Sequence, residues 1–119
     1  MNTTRKRIDS HSTEFGLWIR KQDKVASSRG YAATDLDYIW TNYKTGDWML
    51  IEEKRYMSKV RWSQGEIFKT INKACKNDPK YKGFHLLQFE KTSPEDGKTY
   101  FDKQEVTAEE LIEILMFKK

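Results

Sequence analysis

Cysteine, proline and long apolar runs are what this sequence has least of. Cys75 stands alone, which excludes an internal disulfide and a thiolate zinc cage. The two prolines, Pro79 and Pro94, fall where a helix stops and inside a turn, and no stretch is repetitive or low in complexity. No run approaches the roughly 18 apolar residues of a membrane span. The first residues lack the apolar core of a secretory leader. A cytoplasmic, intracellular protein without membrane association is therefore expected.

Charge, by contrast, is abundant. Charged residues make up 34% of the chain against 37% hydrophobic, and the mean hydropathy is −0.88. An aromatic fraction of 13% argues against disorder. A chain of 119 residues has room for one modest core. A net charge of +4 and a pI near 9.1 suit an anionic partner without requiring one. We expect a flexible basic tail over 1–11, containing Arg5-Lys6-Arg7, and a single domain over 12–119.

The informative stretch runs from Asp35 to Lys54. Two β-rich runs flank a polar segment with Gly46, which reads as a hairpin. Strand side chains alternate, so Trp48, Leu50, Glu52 and Lys54 share one face while Met49, Ile51 and Glu53 take the other. A two-residue turn at Thr45-Gly46 sets Asp37 opposite Lys54, and a four-residue turn sets it opposite Glu52. Either register puts Asp35 and Asp37 on the Glu52/Lys54 face, whereas a three-residue turn flips them away. Carboxylates crowded there without a counter-ion repel, so the arrangement invites a metal.

An aspartate, a strand and then Glu-x-Lys resembles the PD-(D/E)xK nuclease superfamily. The matching residues are Asp37 (or Asp35), Glu52 and Lys54, with 14 residues between Asp37 and Glu52. The proline of the family name is missing, since Thr34 precedes Asp35 and Leu36 precedes Asp37. The strand Tyr38-Ile39-Trp40 directly after Asp37 favours that aspartate. The resemblance implies an α/β, restriction-endonuclease-like fold: an αβββαβ-type core with a mixed central sheet flanked by helices, followed by a C-terminal helix.

The rest of the chain reads consistently with that order. Ser12 or Thr13 caps a helix to about Asp23, with Phe15, Trp18 and Ile19 as its apolar stripe. Ser63 and Glu66 form a capping box for a helix to about Lys76, buried along Ile67, Phe68, Ile71 and Cys75. Strands follow at Gly83 to Phe89 and Thr99 to Phe101 across a turn. Thr107 caps a closing helix, Ala108 to Phe117, whose core face is Leu111, Ile112, Leu115 and Met116. His85 reads as a satisfied core or edge histidine rather than a catalytic one.

Function follows from the resemblance as an expectation: a Mg²⁺-dependent DNA endonuclease, structure-specific or nicking. It is similar to small Holliday-junction-resolvase-like enzymes and nucleases of phages and mobile elements. Mg²⁺, with Mn²⁺ as substitute, is held by Asp37, Glu52 and the carbonyl of Glu53, with Asp35 as the alternative aspartate. Glu14, on the first helix, is similar to a family glutamate that approaches the metal, and otherwise merely favours the helix dipole. Lys54 positions or deprotonates the attacking water, and Gln64 matches an extra motif that orients the lysine or a water. Ser28, Arg29, Arg55, Lys59, Arg61 and Trp62 supply cations, small polar groups and an aromatic for DNA. No small-molecule cofactor is expected. A homodimer is, with Met116 and Phe117 contributing contact. The competing expectations are a non-catalytic nucleic-acid-binding module of the same fold, and an interaction protein whose Glu52 to Arg55 run is ordinary solvated charge.

Overall fold

The computed structural model describes residues 13–119. The basic tail expected over 1–11 lies outside the described residues. The chain divides at Ala33/Thr34 into two compact units.

The first unit holds α1, Glu14–Ile19. Thr13 caps it, its Oγ1 accepting the Gly16 N–H at 3.1 Å. The helix ends short of the expected Asp23 because Gln22 turns extended and its side-chain amide donates to the Trp18 carbonyl at 3.1 Å. Short 3₁₀ turns follow at Asp23–Val25 and Ser27–Arg29. The expected stripe is not buried. Phe15 is 65% and Trp18 56% exposed, and their rings stack on each other at 5.9 Å.

The second unit is α/β, a five-stranded mixed sheet in the order β1-β2-β3-β4-β5 flanked by helices. Its elements are β1 (Tyr38–Thr41), β2 (Trp48–Lys54), α2 (Trp62–Cys75), β3 (Tyr81–Phe89), β4 (Thr99–Phe101), β5 (Gln104–Val106) and α3 (Ala108–Leu115). β2 and β3 run parallel, joined through α2, and the other neighbours are antiparallel. No helix among the described residues is long and apolar enough to cross a membrane.

Alternation in β2 divides the two sides of the sheet. Met49 and Ile51, each 2% exposed, join Leu87, Phe89, Phe101 and Leu111 in one core under α3. Each such side chain contributes about 1.5–3 kcal/mol by leaving water. Leu50, Glu52 and Lys54 face the other way, toward α2, where Phe68 stacks on Phe84 at 4.6 Å. The N–H of Asn42 donates to the Asp47 carbonyl at 2.9 Å, leaving the four residues 43–46 as the turn. Asn42 Oδ1 holds the amides of Lys44 and Thr45, and Gly46 supplies the left-handed conformation at φ +87°.

Other differences from expectation have local causes. α2 starts at Trp62, not after Ser63, because Gln64 at its third position accepts the Arg61 N–H at 3.3 Å. β5 is an additional strand. It returns from β4 through Asp102-Lys103, both at positive φ, a tight turn without the usual glycine. On α3 the buried side is Leu111, Ile114 and Leu115, while Ile112 and Met116 are 56% and 51% exposed. Phe117 packs against the core, and Trp40 Nε1 donates to the Leu115 carbonyl at 2.7 Å, tying β1 to α3.

Candidate metal centre

The carboxyl end of β2 sits at the end of the central parallel pair, where α/β sheets place their ligands. Tyr38 pairs with Ile51 and Ile39 with Leu50, so continuing the register by one residue sets Asp37 across from Glu52. This is the four-residue-turn arrangement. Asp37 Oδ2 accepts the Glu53 N–H at 2.8 Å, which fixes the aspartate against the end of β2. Asp35 is exposed and makes no side-chain bond to Glu52 or Glu53.

Glu52 is the unusual member, a carboxylate only 4% exposed. Its Oε2 pairs with Lys54 Nζ at 3.2 Å. Its Oε1 is buried with no hydrogen-bond partner among the described residues. Such an atom costs about 1–3 kcal/mol or more if nothing meets it. Burial pushes the Glu52 carboxyl above its ordinary range, and the charge of Asp37 pushes it further, while Lys54 pulls it back. Asp37 and Glu52 thus have one ammonium, Lys54, on the Glu52 side.

Lys54 is held from two sides. Its Nζ donates to Gln64 Oε1 at 3.1 Å as well as meeting Glu52. Gln64, 7% exposed, also donates from Nε2 to Thr34 Oγ1 at 2.9 Å. One amide thus ties the lysine, the start of α2 and the segment that leads into the aspartates. Beside Lys54 in the parallel register lies Gln88, 6% exposed, whose Nε2 donates to the Ser58 carbonyl at 3.2 Å. Thr34 and Gln88 are members that sequence reasoning missed. Thr34 occupies a position adjoining the motif, whereas nothing in the sequence announces which β3 residue lies beside Lys54.

Glu53, on the opposite side of β2, has its carboxylate engaged. Tyr38 OH donates to Oε1 at 2.9 Å and Arg55 Nε to Oε2 at 3.1 Å. An open depression of about 480 Å³ is lined by Asp37, Tyr38, Glu53, Lys54, Arg55 and Ser58. Lys59 and Arg61 are exposed on the connection after β2, and Trp62 is exposed at the first position of α2. Glu14, Ser28 and Arg29 belong to the first unit, whereas the cluster described here is built from the second. Arg29 is occupied within its own unit, bonding the Asp23 carboxylate and carbonyl, both at 3.0 Å.

Among the described residues no three His, Cys, Asp or Glu side chains gather as a metal cage. The donor set on offer is two carboxylates, Asp37 and Glu52, which suits a hard divalent cation that keeps several waters. The unpartnered Oε1 of Glu52 is the atom such an ion would satisfy.

His85 makes a separate pair. Its Nδ1 lies 2.7 Å from Asp102 Oδ2 and its Nε2 2.8 Å from the Lys82 carbonyl. With acceptors at both nitrogens the ring is held as a structural donor.

No family model, no curated protein and no solved structure matches the chain.

Proposed function

We propose that the chain is a Mg²⁺-dependent DNA endonuclease that hydrolyses phosphodiester bonds, structure-specific or nicking, and acts inside the cell. The observation that carries this reading is the buried, half-satisfied carboxylate of Glu52, set between Asp37 and a lysine that two partners hold in place. A buried charge kept this way without an ion only weakens the fold. A cation makes sense of it.

Asp37 and Glu52 would hold the metal, with the Glu53 carbonyl as a third oxygen. When bound, Mg²⁺ supplies charge neutralisation at the phosphoryl oxygens and a nucleophile at neutral pH. The protein's own residues do the positioning. An ammonium has three donors, and Lys54 commits two of them, to Glu52 and Gln64. The third is left to direct at the attacking water or the negative charge that builds on phosphorus in the transition state. Gln64 fixes that direction. The open depression lets the backbone of a nucleic acid approach from the Arg55 and Ser58 side.

The test is direct. Supercoiled plasmid and branched DNA are incubated with the protein in Mg²⁺ and in EDTA. Nicked or linear product in Mg²⁺ alone supports the reading. Binding without cleavage in either buffer replaces it with a non-catalytic nucleic-acid module, and neither binding nor cleavage leaves an interaction protein.

A further inference from the structure

The connection from β2 to α2 does more than join them. Its backbone is pinned at several points. The N–H groups of Tyr56 and Met57 donate to the carbonyls of Lys91 and Phe89, both at 2.9 Å. The Ser58 N–H and hydroxyl both return to the Arg55 carbonyl, at 3.1 and 2.9 Å. Gln88 holds the Ser58 carbonyl, and Gln64 holds the Arg61 N–H. Within this pinned turn Tyr56 and Met57 both sit at φ +55°, a left-handed conformation that large side chains adopt only when the surroundings impose it. Glycine would relieve it.

The Tyr56 side chain gains little burial for that strain. Tyr56 is 68% and Trp62 80% exposed, and Met57 39%. The residues from Lys54 to Trp62 include no acid and carry Lys54, Arg55, Lys59 and Arg61. Among the described residues neither the Tyr56 nor the Trp62 ring stacks on another aromatic. The turn is thus held in backbone at Tyr56, Met57, Ser58 and Arg61 and carries exposed rings. Lys54 and Arg55 pair with Glu52 and Glu53, which leaves Lys59 and Arg61 as its cations without an ion pair among the described residues.

Building on the nuclease reading, we infer that this turn is a stacking platform for unpaired bases next to the cut, so the substrate class is duplex DNA carrying a single-stranded branch or fork. Every base offers a π-face to an aromatic ring, and cations hold the backbone that runs past it. Bases inside a duplex already stack on each other and leave no free face. An apolar protein partner would match the rings but not Lys59 and Arg61 beside them, which form no ion pair among the described residues.

The experiment uses two DNAs of one sequence, a fork and a full duplex, with 2-aminopurine in the strand that the fork leaves unpaired. Binding is followed by fluorescence in EDTA, so no cleavage is needed. The wild type is expected to prefer the fork and to change the probe's fluorescence on it. Tyr56→Gly and Trp62→Ala are each expected to weaken fork binding about fivefold to a hundredfold, with a much smaller loss on the duplex. Tyr56→Gly should melt no lower than wild type, since the backbone strain is relieved. Equal affinity for both DNAs, equal losses on both, or a lower melting temperature for Tyr56→Gly would overturn the inference. Cleavage in Mg²⁺ separates the two proposals. A fork preference without cleavage sinks the nuclease reading alone, and cleavage without fork preference sinks the platform alone.

Discussion

Replacing Asp37 by asparagine should stabilise the metal-free protein and remove its response to Mg²⁺. Asparagine keeps an oxygen for the Glu53 N–H, which Asp37 accepts at 2.8 Å, and deletes only the charge. Side chains opposed across a strand pair lie about 5 Å apart. Coulomb's law then gives about 0.8 kcal/mol at a dielectric of 80 and about 3 kcal/mol at 20. Asp37 is solvent-exposed, so screening favours the low end, about 1 kcal/mol. For a domain of this size that is roughly 4 °C in melting temperature. The pH dependence has a definite sign. A carboxyl raised by burial and by Asp37, as Glu52 is, binds its proton more tightly folded than unfolded. Stability in EDTA therefore falls as pH climbs from the ordinary glutamate range through the raised value, and is level above it. Asp37→Asn makes that fall shallower. In Mg²⁺ the order reverses: wild type gains about 2.7 kcal/mol at a hundred times its Kd, while the variant gains little. Melting curves over pH 4–8, in EDTA and in Mg²⁺, check this. A variant that melts lower than wild type in EDTA, or one that Mg²⁺ stabilises equally, would refute the reasoning.

Other expectations follow from the same geometry. Lys54→Ala should abolish plasmid cleavage while the Mg²⁺-induced rise in melting temperature persists, and wild-type turnover would dismiss the catalytic role. Gln64→Ala removes the lysine's second partner and the cap of α2, so cleavage should slow by a factor of tens or more. Melting should fall by an amount matching about 1 kcal/mol, and unchanged turnover with that fall would leave only a structural role. On the central strand β3, burial lowers the affinity of His85 for its proton, but the bonds to Asp102 and the Lys82 carbonyl more than restore it and leave the imidazole raised. That contribution is complete below about pH 6.5 and fades as pH rises through the folded value. Asp102→Asn should flatten the decline, by less than about 1 kcal/mol since Asp102 is half-exposed. We propose a homodimer as the active form, with DNA affinity that falls steeply with salt. A monomeric mass by light scattering, with and without DNA, argues for a nickase.

Period-two alternation made Glu52 and Lys54 legible as neighbours on one face, and the same rule separated Met49 and Ile51 into the core beneath α3. The strand after Asp37 favoured that aspartate over Asp35, but whether it faces Lys54 or Glu52 was not legible, because that depends on turn length. That length is set by Asn42 bonding two turn amides and by Gly46 at φ +87°. Gln64 was legible as a partner of the lysine, but its second partner was not, because Thr34 comes from a distant segment. β5 escaped notice because Gln104-Glu105-Val106 is short and polar, and its turn lacks the glycine that announces a hairpin. The apolar stripe of α1 misled because periodicity reports a face and not what covers it.

One amide both closes the first turn of α2 and seats the lysine. First turns fray far more readily than a sheet dissolves, so helix ends open while the rest of the domain stays folded. Each such opening would release Lys54 from Gln64 without disturbing Met49 or Ile51. Under the nuclease role proposed for Lys54, the active fraction of molecules would then be governed by a local equilibrium at one helix end and not by the stability of the whole. Heating would silence the protein some degrees before it unfolds, and cooling would restore it with no refolding step.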